Sequence, residues 1–167
     1  MKKGRPPSEP GSFKAAYLLA LRWLTARELS EAQVRHRLAE RGYSEAAIDP
    51  AITRLIQERT LDDRRAATAV ARTEAKVRRH GPRRVLARLH AMQIDRDLAG
   101  EIVRELFDDT DEQQLLEMTL ERRLRAKPER LKDPHERRKL LAYLVRQGFS
   151  QSAASNALRA RSKQGNS

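Results

Sequence analysis

The sequence holds no cysteine, which removes disulfides, thiolate metal sites and cysteine nucleophiles from consideration and suits a reducing compartment. Aromatic residues make up only 4% of it, too few for a large core or for a row of base-stacking platforms. Its longest apolar run, AAYLLAL at 15–21, falls far short of the ~20 residues that cross a bilayer. The opening MKKGRPPSEPGS has two lysines but no apolar stretch behind them, so it does not read as a secretory signal. The expectation is a soluble cytoplasmic protein with no membrane contact. Period-two alternation of apolar and polar residues, the mark of strands, does not persist beyond a few positions.

What is present is helix vocabulary and positive charge. Ala, Leu, Arg and Glu dominate the 167 residues, and the fold class is read as all-α. The formal net charge is +12 and the isoelectric point about 10.8, a field that favours anionic partners such as nucleic acid or an acidic protein surface. Two segments concentrate it. From Arg72 to Leu89 seven Arg and Lys (72, 76, 78, 79, 83, 84, 88) face one acid, Glu74. From Glu121 to Lys139 nine (122, 123, 125, 127, 130, 132, 137, 138, 139) face four acids.

One phrase recurs. RGYSEAAI at 41–48 returns as QGFSQSAA at 147–154, with a fainter copy, MQIDRDLA, at 92–99. Aligning Tyr43, Ile94 and Phe149 also aligns Val34 with Val85 and Leu140, Leu38 with Leu89 and Leu144, and Ile52 with Val103 and Leu158. The offsets, 51 and 55 residues, signal an array of supersecondary units. Each unit reads as three helices, and the whole as an elongated tandem array of three such helix-turn-helix-like repeats. The expected boundaries are a disordered basic tail at 1–12, repeats at 13–59, 60–109 and 110–161, and a second tail at 162–167.

Helix signals support this division. In the first repeat Tyr17, Leu18, Leu21 and Leu24 form the stripe of helix one. Ser30 with Gln33 makes a capping-box pattern for helix two, Gly42 closes it, and Ser44 opens helix three with Ile48, Ile52, Leu55 and Ile56. Pro50 predicts a kink there, the alternative being a restart capped by Asp49. In the second repeat a helix runs from LDDRRAATAVART to about Arg79, Gly81 and Pro82 separate it from the next, and helices follow at 82–92 and 95–107. In the third, Thr110 with Gln113 is a capping pattern, Asp133 and Pro134 begin a helix that Gly148 ends, and the last helix runs from Ser150 to about Arg161. The Gly turns the chain, the aromatic residue or Ile plugs the corner, and the Ser or Asp caps the next helix.

Catalytic and metal patterns are missing. His36, His80, His90 and His135 form no i,i+4 pair and are assigned to surface or connector positions. Asp62, Asp63, Asp108, Asp109 and Asp111 stand at helix starts, where capping and dipole complementarity account for them. Phosphate-cradling and nucleophile motifs are absent, so no catalytic residue, cofactor site or metal site is assigned and the chain is not read as an enzyme. Sequence-specific DNA reading is poorly served too: two of the three third helices carry acids where base-reading side chains would stand. Tyr17, Tyr43, Phe107, Tyr143 and Phe149 face the core, and Trp23 alone lies off its stripe. Nonspecific contact with a nucleic-acid backbone stays open.

The stretches LTARELSEAQVRHRLAERGYSEAAI, LDDRRAATAVARTEAKVRRHGPRRVLARL and RRKLLAYLVRQGFSQSAASNAL resemble, in order and spacing, the RecX regulatory proteins of bacteria. Leu61, Asp62 and Asp63 match the leucine and two acids that open the family's middle unit, and Gly81, Pro82, Arg83 and Arg84 match its Gly-Pro and basic helix. Departures are Ala66 in place of an aromatic, Gln93 in place of a corner Gly, and Pro50. The resemblance implies a negative modulator of the RecA recombinase, a monomer that lies in the groove of the RecA–DNA filament and impedes strand exchange and ATP hydrolysis. The contact residues it suggests are Arg83, Arg84 and Arg88, then Arg137, Arg138 and Lys139, with Arg122 and Arg123 second. Two other readings stand beside it: a general DNA-binding protein acting without RecA, and a scaffold for another acidic protein.

Overall fold

The computed structural model of the chain describes residues 9–109, 112–125 and 127–164, and every regular element among them is helical. The helices are α1 (Phe13–Ala26), α2 (Glu31–Glu40), α3 (Glu45–Gln57), α4 (Asp63–Arg72), α5 (Pro82–Ala91), α6 (Arg96–Asp109), α7 (Glu112–Leu124), α8 (Pro134–Arg146) and α9 (Gln151–Gln164). A π-helical turn, Thr73–Val77, continues α4, and a 3₁₀ turn, Pro128–Leu131, precedes α8. The fold is the all-α helical-repeat fold that the charge-rich, strand-poor sequence predicts.

The nine aligned core positions are all buried: Val34, Val85, Leu38, Leu89 and Leu144 at 0%, Leu140 and Ile52 at 1%, Leu158 at 5% and Val103 at 8% exposure. The recurring phrase has a physical basis in the backbone. At each corner one residue adopts a left-handed conformation: Gly42 (φ 90°), Gln93 (φ 59°) and Gly148 (φ 99°). The amide of the next residue then reaches five residues back, Tyr43 to Leu38 O, Ile94 to Leu89 O and Phe149 to Leu144 O, at 3.2, 3.2 and 3.3 Å. The left-handed residue itself donates to Ala39, His90 and Val145 respectively. This paired closure satisfies the orphan carbonyls of a helix end and brings the residue after the turn onto the last apolar residue of the helix. Phe149 is fully buried there, Ile94 is 4% exposed, and Tyr43 is half-buried.

Two compact units divide the chain, Met1–Val70 with Leu89–Ala99, and Ala71–Arg88 with Gly100–Ser167. In the first, α1 packs mainly on α3 through small residues, Ala16, Ala20, Ala47 and Ala51, all at 0% exposure. Alanines allow close helix approach, and this turns α1 so that Leu18, expected in its stripe, is 48% exposed. Ile56 of α3 is likewise 44% exposed, because the chain turns at Arg59 (φ 54°) and brings Leu61 in beside Leu55 to close that end of the core. α3 runs unbroken through Pro50 and does not restart at Asp49. The capping box of Ser30 and Gln33 is present in full. Ser44, by contrast, accepts no amide through its side chain; its backbone N–H and hydroxyl both donate to Pro10 O. Glu9–Ser12 thus lie against the first corner, with Ser12 capping α1.

The second unit is built on α7, α8 and α9, with Leu115, Leu116, Leu120, Leu124, Leu140, Leu144, Phe149, Ala154 and Leu158 at its centre. Asp133 caps α8 through the His135 amide, and Ser150 caps α9 through Ala153. α9 extends to Gln164, past the Arg161 expected as its end. The capping pattern expected of Thr110 lies outside the described residues.

The same joint recurs between successive repeats. In the first unit the buried Ser30 hydroxyl, at the start of α2, donates to Met92 O at the α5–α6 corner. In the second unit Gly81, the residue aligned with Ser30, donates its N–H to Gln147 O at the α8–α9 corner, at 2.8 Å. Arg83 N–H adds a bond to Gly148 O at 3.1 Å. In the first two repeats the start of the second helix therefore hands donors to the corner carbonyls of the repeat that follows.

Candidate functional site

The motif residues that open the middle repeat are structural. Asp62 caps α4 by accepting from Arg65 N–H at 2.9 Å. Asp63 accepts from Glu31 N–H at 2.7 Å, so it caps α2 rather than its own helix; burial pushes its carboxyl above the usual range, with the Glu31 amide opposing. Gly81 has a steric reason to lack a side chain. A Cβ there would lie 2.7 Å from the Gly148 carbonyl carbon and 2.7 Å from Phe149 N. Pro82 occupies the first position of α5, where its fixed φ suits a helix start. Ala66, standing where the family has an aromatic residue, is fully buried beside Ala67.

The basic residues of the middle segment are largely spoken for. Glu74, on the π-helical turn, is 4% exposed and holds His80 Nδ1 at 2.6 Å and Arg78 at 3.0 Å, with Arg88 Nε at 3.9 Å. His80, expected at a surface or connector position, lies in the connector before α5 and is buried at 8% exposure as this carboxylate's partner. The Arg84 guanidinium donates to Arg146 O at 3.0 Å, covering the carbonyl end of α8. Arg83 is exposed, and its charge acts on Glu112, whose carboxyl is raised by burial and drawn back by Arg83. Of the three α5 arginines, Arg83 alone has its guanidinium outside a structural contact among the described residues.

The third repeat gathers its charge differently. Arg122 and Arg123 at the end of α7, Lys127, Arg130 of the 3₁₀ turn and Glu136 of α8 line a cleft of about 690 Å³. Arg130 reaches Glu136 Oε2 through two nitrogens at 2.6 Å, and Lys139 reaches Oε1 at 2.8 Å. The Lys139 and Arg130 cations hold the Glu136 carboxyl well below the ordinary glutamate value, at about 2. The Arg123 guanidinium stacks 5.0 Å from the centre of the Tyr143 ring. Arg122 and Lys127 are exposed, and their side chains make no hydrogen bond or ion pair among the described residues. Arg137 donates to Leu131 O at 3.1 Å, and Arg138 is exposed without a polar partner among the described residues.

The fold thus joins Arg122 and Arg123 to two residues that spacing did not single out, Lys127 and Arg130. They sit across an α-to-3₁₀ connector with no periodicity, so only their place in a basic run marked them. Among the described residues no group of three or more His, Asp or Glu is placed to hold a metal ion, and no helix is long and apolar enough to cross a membrane.

Repeated three-helix elements joined corner to helix start define a helical-repeat protein. Comparison with known proteins makes the assignment specific. Family models described as the first and third three-helix domains of RecX match residues 16–55 and 110–158. The chain is 32% identical over 151 residues to the regulatory protein RecX of Mycobacterium ulcerans, covering 89% of this chain and 87% of that one. It is 32% identical over 146 residues to that of Mycobacterium leprae, covering 87% and 85%. The crystal structure of RecX from Lactobacillus salivarius superposes with a TM-score of 0.76 over 89% of this chain and 96% of that one, at 20% identity, a likeness of fold. This chain belongs to the RecX family of regulatory proteins.

Proposed function

We propose that the chain is a negative regulator of the RecA recombinase, binding in the groove of the RecA–DNA filament and inhibiting strand exchange and ATP hydrolysis. The observation that carries this reading is the match to curated regulatory proteins RecX across 89% of the chain. The chemistry is compatible: a +12 chain suits a partner made of DNA and acidic protein surface, and contacts repeated along an array act multivalently. Within this reading Arg83 and Arg138 are the first contact candidates, being exposed and outside structural contacts. Arg84, Arg88, Arg137 and Lys139 contribute charge from positions held by contacts within the chain.

The test is RecA-catalysed strand exchange and ATP hydrolysis on single-stranded DNA, with the protein substoichiometric to RecA. Inhibition that persists when excess competitor DNA is added supports the reading. Inhibition that disappears in proportion to competitor supports a second one, a nonspecific DNA-binding protein acting without RecA, which the basic cleft of the third repeat favours.

A further inference from the structure

Ser30 and Gly81 stand immediately before α2 and α5, and the residue aligned with them in the third repeat, Glu136, lies in the first turn of α8, which Asp133 caps. The first two hand a donor to the corner carbonyl of the following repeat, Met92 O and Gln147 O. Glu136 lines the cleft of about 690 Å³ together with Arg122, Arg123, Lys127 and Arg130. The carboxylate is already matched by Arg130 and Lys139, so Arg122, Arg123 and Lys127 contribute charge that nothing in the cleft neutralises.

We infer that this cleft is a binding site for the phosphodiester backbone of nucleic acid, with Arg122, Arg123 and Lys127 as its phosphate ligands and Arg130, fixed by Glu136, as its wall. The described lining residues are four cations and one carboxylate. A docked protein segment is held chiefly by apolar or aromatic anchors, whereas charge is the dominant feature of this lining. A phosphate backbone needs only cations that track it. Arginine is well suited, because its planar fork meets two phosphate oxygens at once. The Tyr143 ring under Arg123 restrains that fork before a ligand arrives, which lowers the entropy lost on binding. The inference goes beyond the regulatory reading and stands without it, since its test contains no recombinase.

The test is fluorescence anisotropy of a labelled oligothymidylate and of a labelled duplex with the full chain, titrated over a range of salt. Arg122→Ala/Arg123→Ala/Lys127→Ala is compared with Lys14→Ala/Arg96→Ala/Arg104→Ala, which removes the same charge from exposed positions elsewhere. The cleft variant is expected to lose roughly tenfold or more in affinity at about 0.1 M salt. Its log–log salt slope for the single strand should fall by about 2, as loss of three phosphate contacts requires. The control variant should keep the slope. Circular dichroism establishes that both variants are folded. Equal losses in the two variants would show a diffuse charge effect and overturn the assignment. So would a cleft variant that keeps its affinity for both oligonucleotides, or one that loses only binding to polyglutamate, which would make an acidic protein segment the occupant.

Discussion

Ser30 makes four hydrogen bonds at once: its hydroxyl accepts from Gln33 N–H and donates to Met92 O, its own N–H donates to Gln33 Oε1, and its carbonyl accepts from Val34 N–H. The residue is fully buried, so truncation leaves both a helix start and a carbonyl without partners. Ser30→Ala is expected to lose about 2–3 kcal/mol, about 1 from the cap and the rest from the stranded carbonyl. A urea titration would show this as a lower midpoint with unchanged slope. The corner residues predict opposite signs for opposite changes. At Gly148 a Cβ would stand 2.5 Å from Arg84 N and 2.6 Å from Arg84 Cβ, at a φ of +99°. Gly148→Ala should therefore cost about 3 kcal/mol or more, from steric overlap and left-handed strain together. Gln93 already bears that strain at φ 59°, and Gln93→Gly is expected to stabilise by about 1 kcal/mol. Thermal unfolding of the two variants side by side would test both signs.

At the scale of elements, α8 shows how one carboxylate organises a surface. Glu136 holds Arg130 of the 3₁₀ turn and Lys139 of its own helix, and its pKa is depressed from 4.5 to about 2. A depressed folded-state value contributes stability above the unfolded value, lost as pH falls through the folded one. The contribution is therefore complete above about pH 4.5 and fades towards about pH 2. Glu136→Gln should be less stable than the parent near neutrality, with the difference shrinking across that window; denaturant titrations at a series of pH values would measure it. A difference independent of pH would mean that Glu136 acts through packing. The π-helical turn is the other element with a distinct role, since it carries the buried Glu74 that draws in Arg78, His80 and Arg88. In sequence the basic residues around this one acid read as part of a field that favours anionic partners. The carboxylate's burial is what recruits its neighbours, and burial depends on α4 continuing as a π-turn.

For the whole molecule, the proposed regulatory activity makes the outward-facing arginines the sensitive ones. Arg83→Glu with Arg138→Glu is expected to weaken inhibition of RecA ATP hydrolysis at least about tenfold, two charge reversals in an interface being worth some kilocalories. Arg88→Glu should instead lower the melting temperature, because it would set a second carboxylate beside Glu74. ATPase inhibition curves and melting curves for the same three proteins separate the two effects. If Arg83→Glu/Arg138→Glu inhibits as the parent does, these exposed positions are not the contact face.

Local chemistry made the helices, the capping box at Ser30, the three corners and the family resemblance legible, because each is decided by residues within a few positions of one another. The left-handed turn needs Gly or tolerates Gln, the helix start needs a side-chain acceptor, and the apolar residues must recur at helical spacing. Tertiary structure decided which arginines were committed. Arg84 meets a carbonyl 62 residues away, Arg130 and Glu136 meet across a turn, and Leu18 faces solvent because alanines seat α1 on α3. Such outcomes depend on how helices distant in sequence approach, and a charge or a methyl group acts through space on whatever the fold brings within a few ångströms.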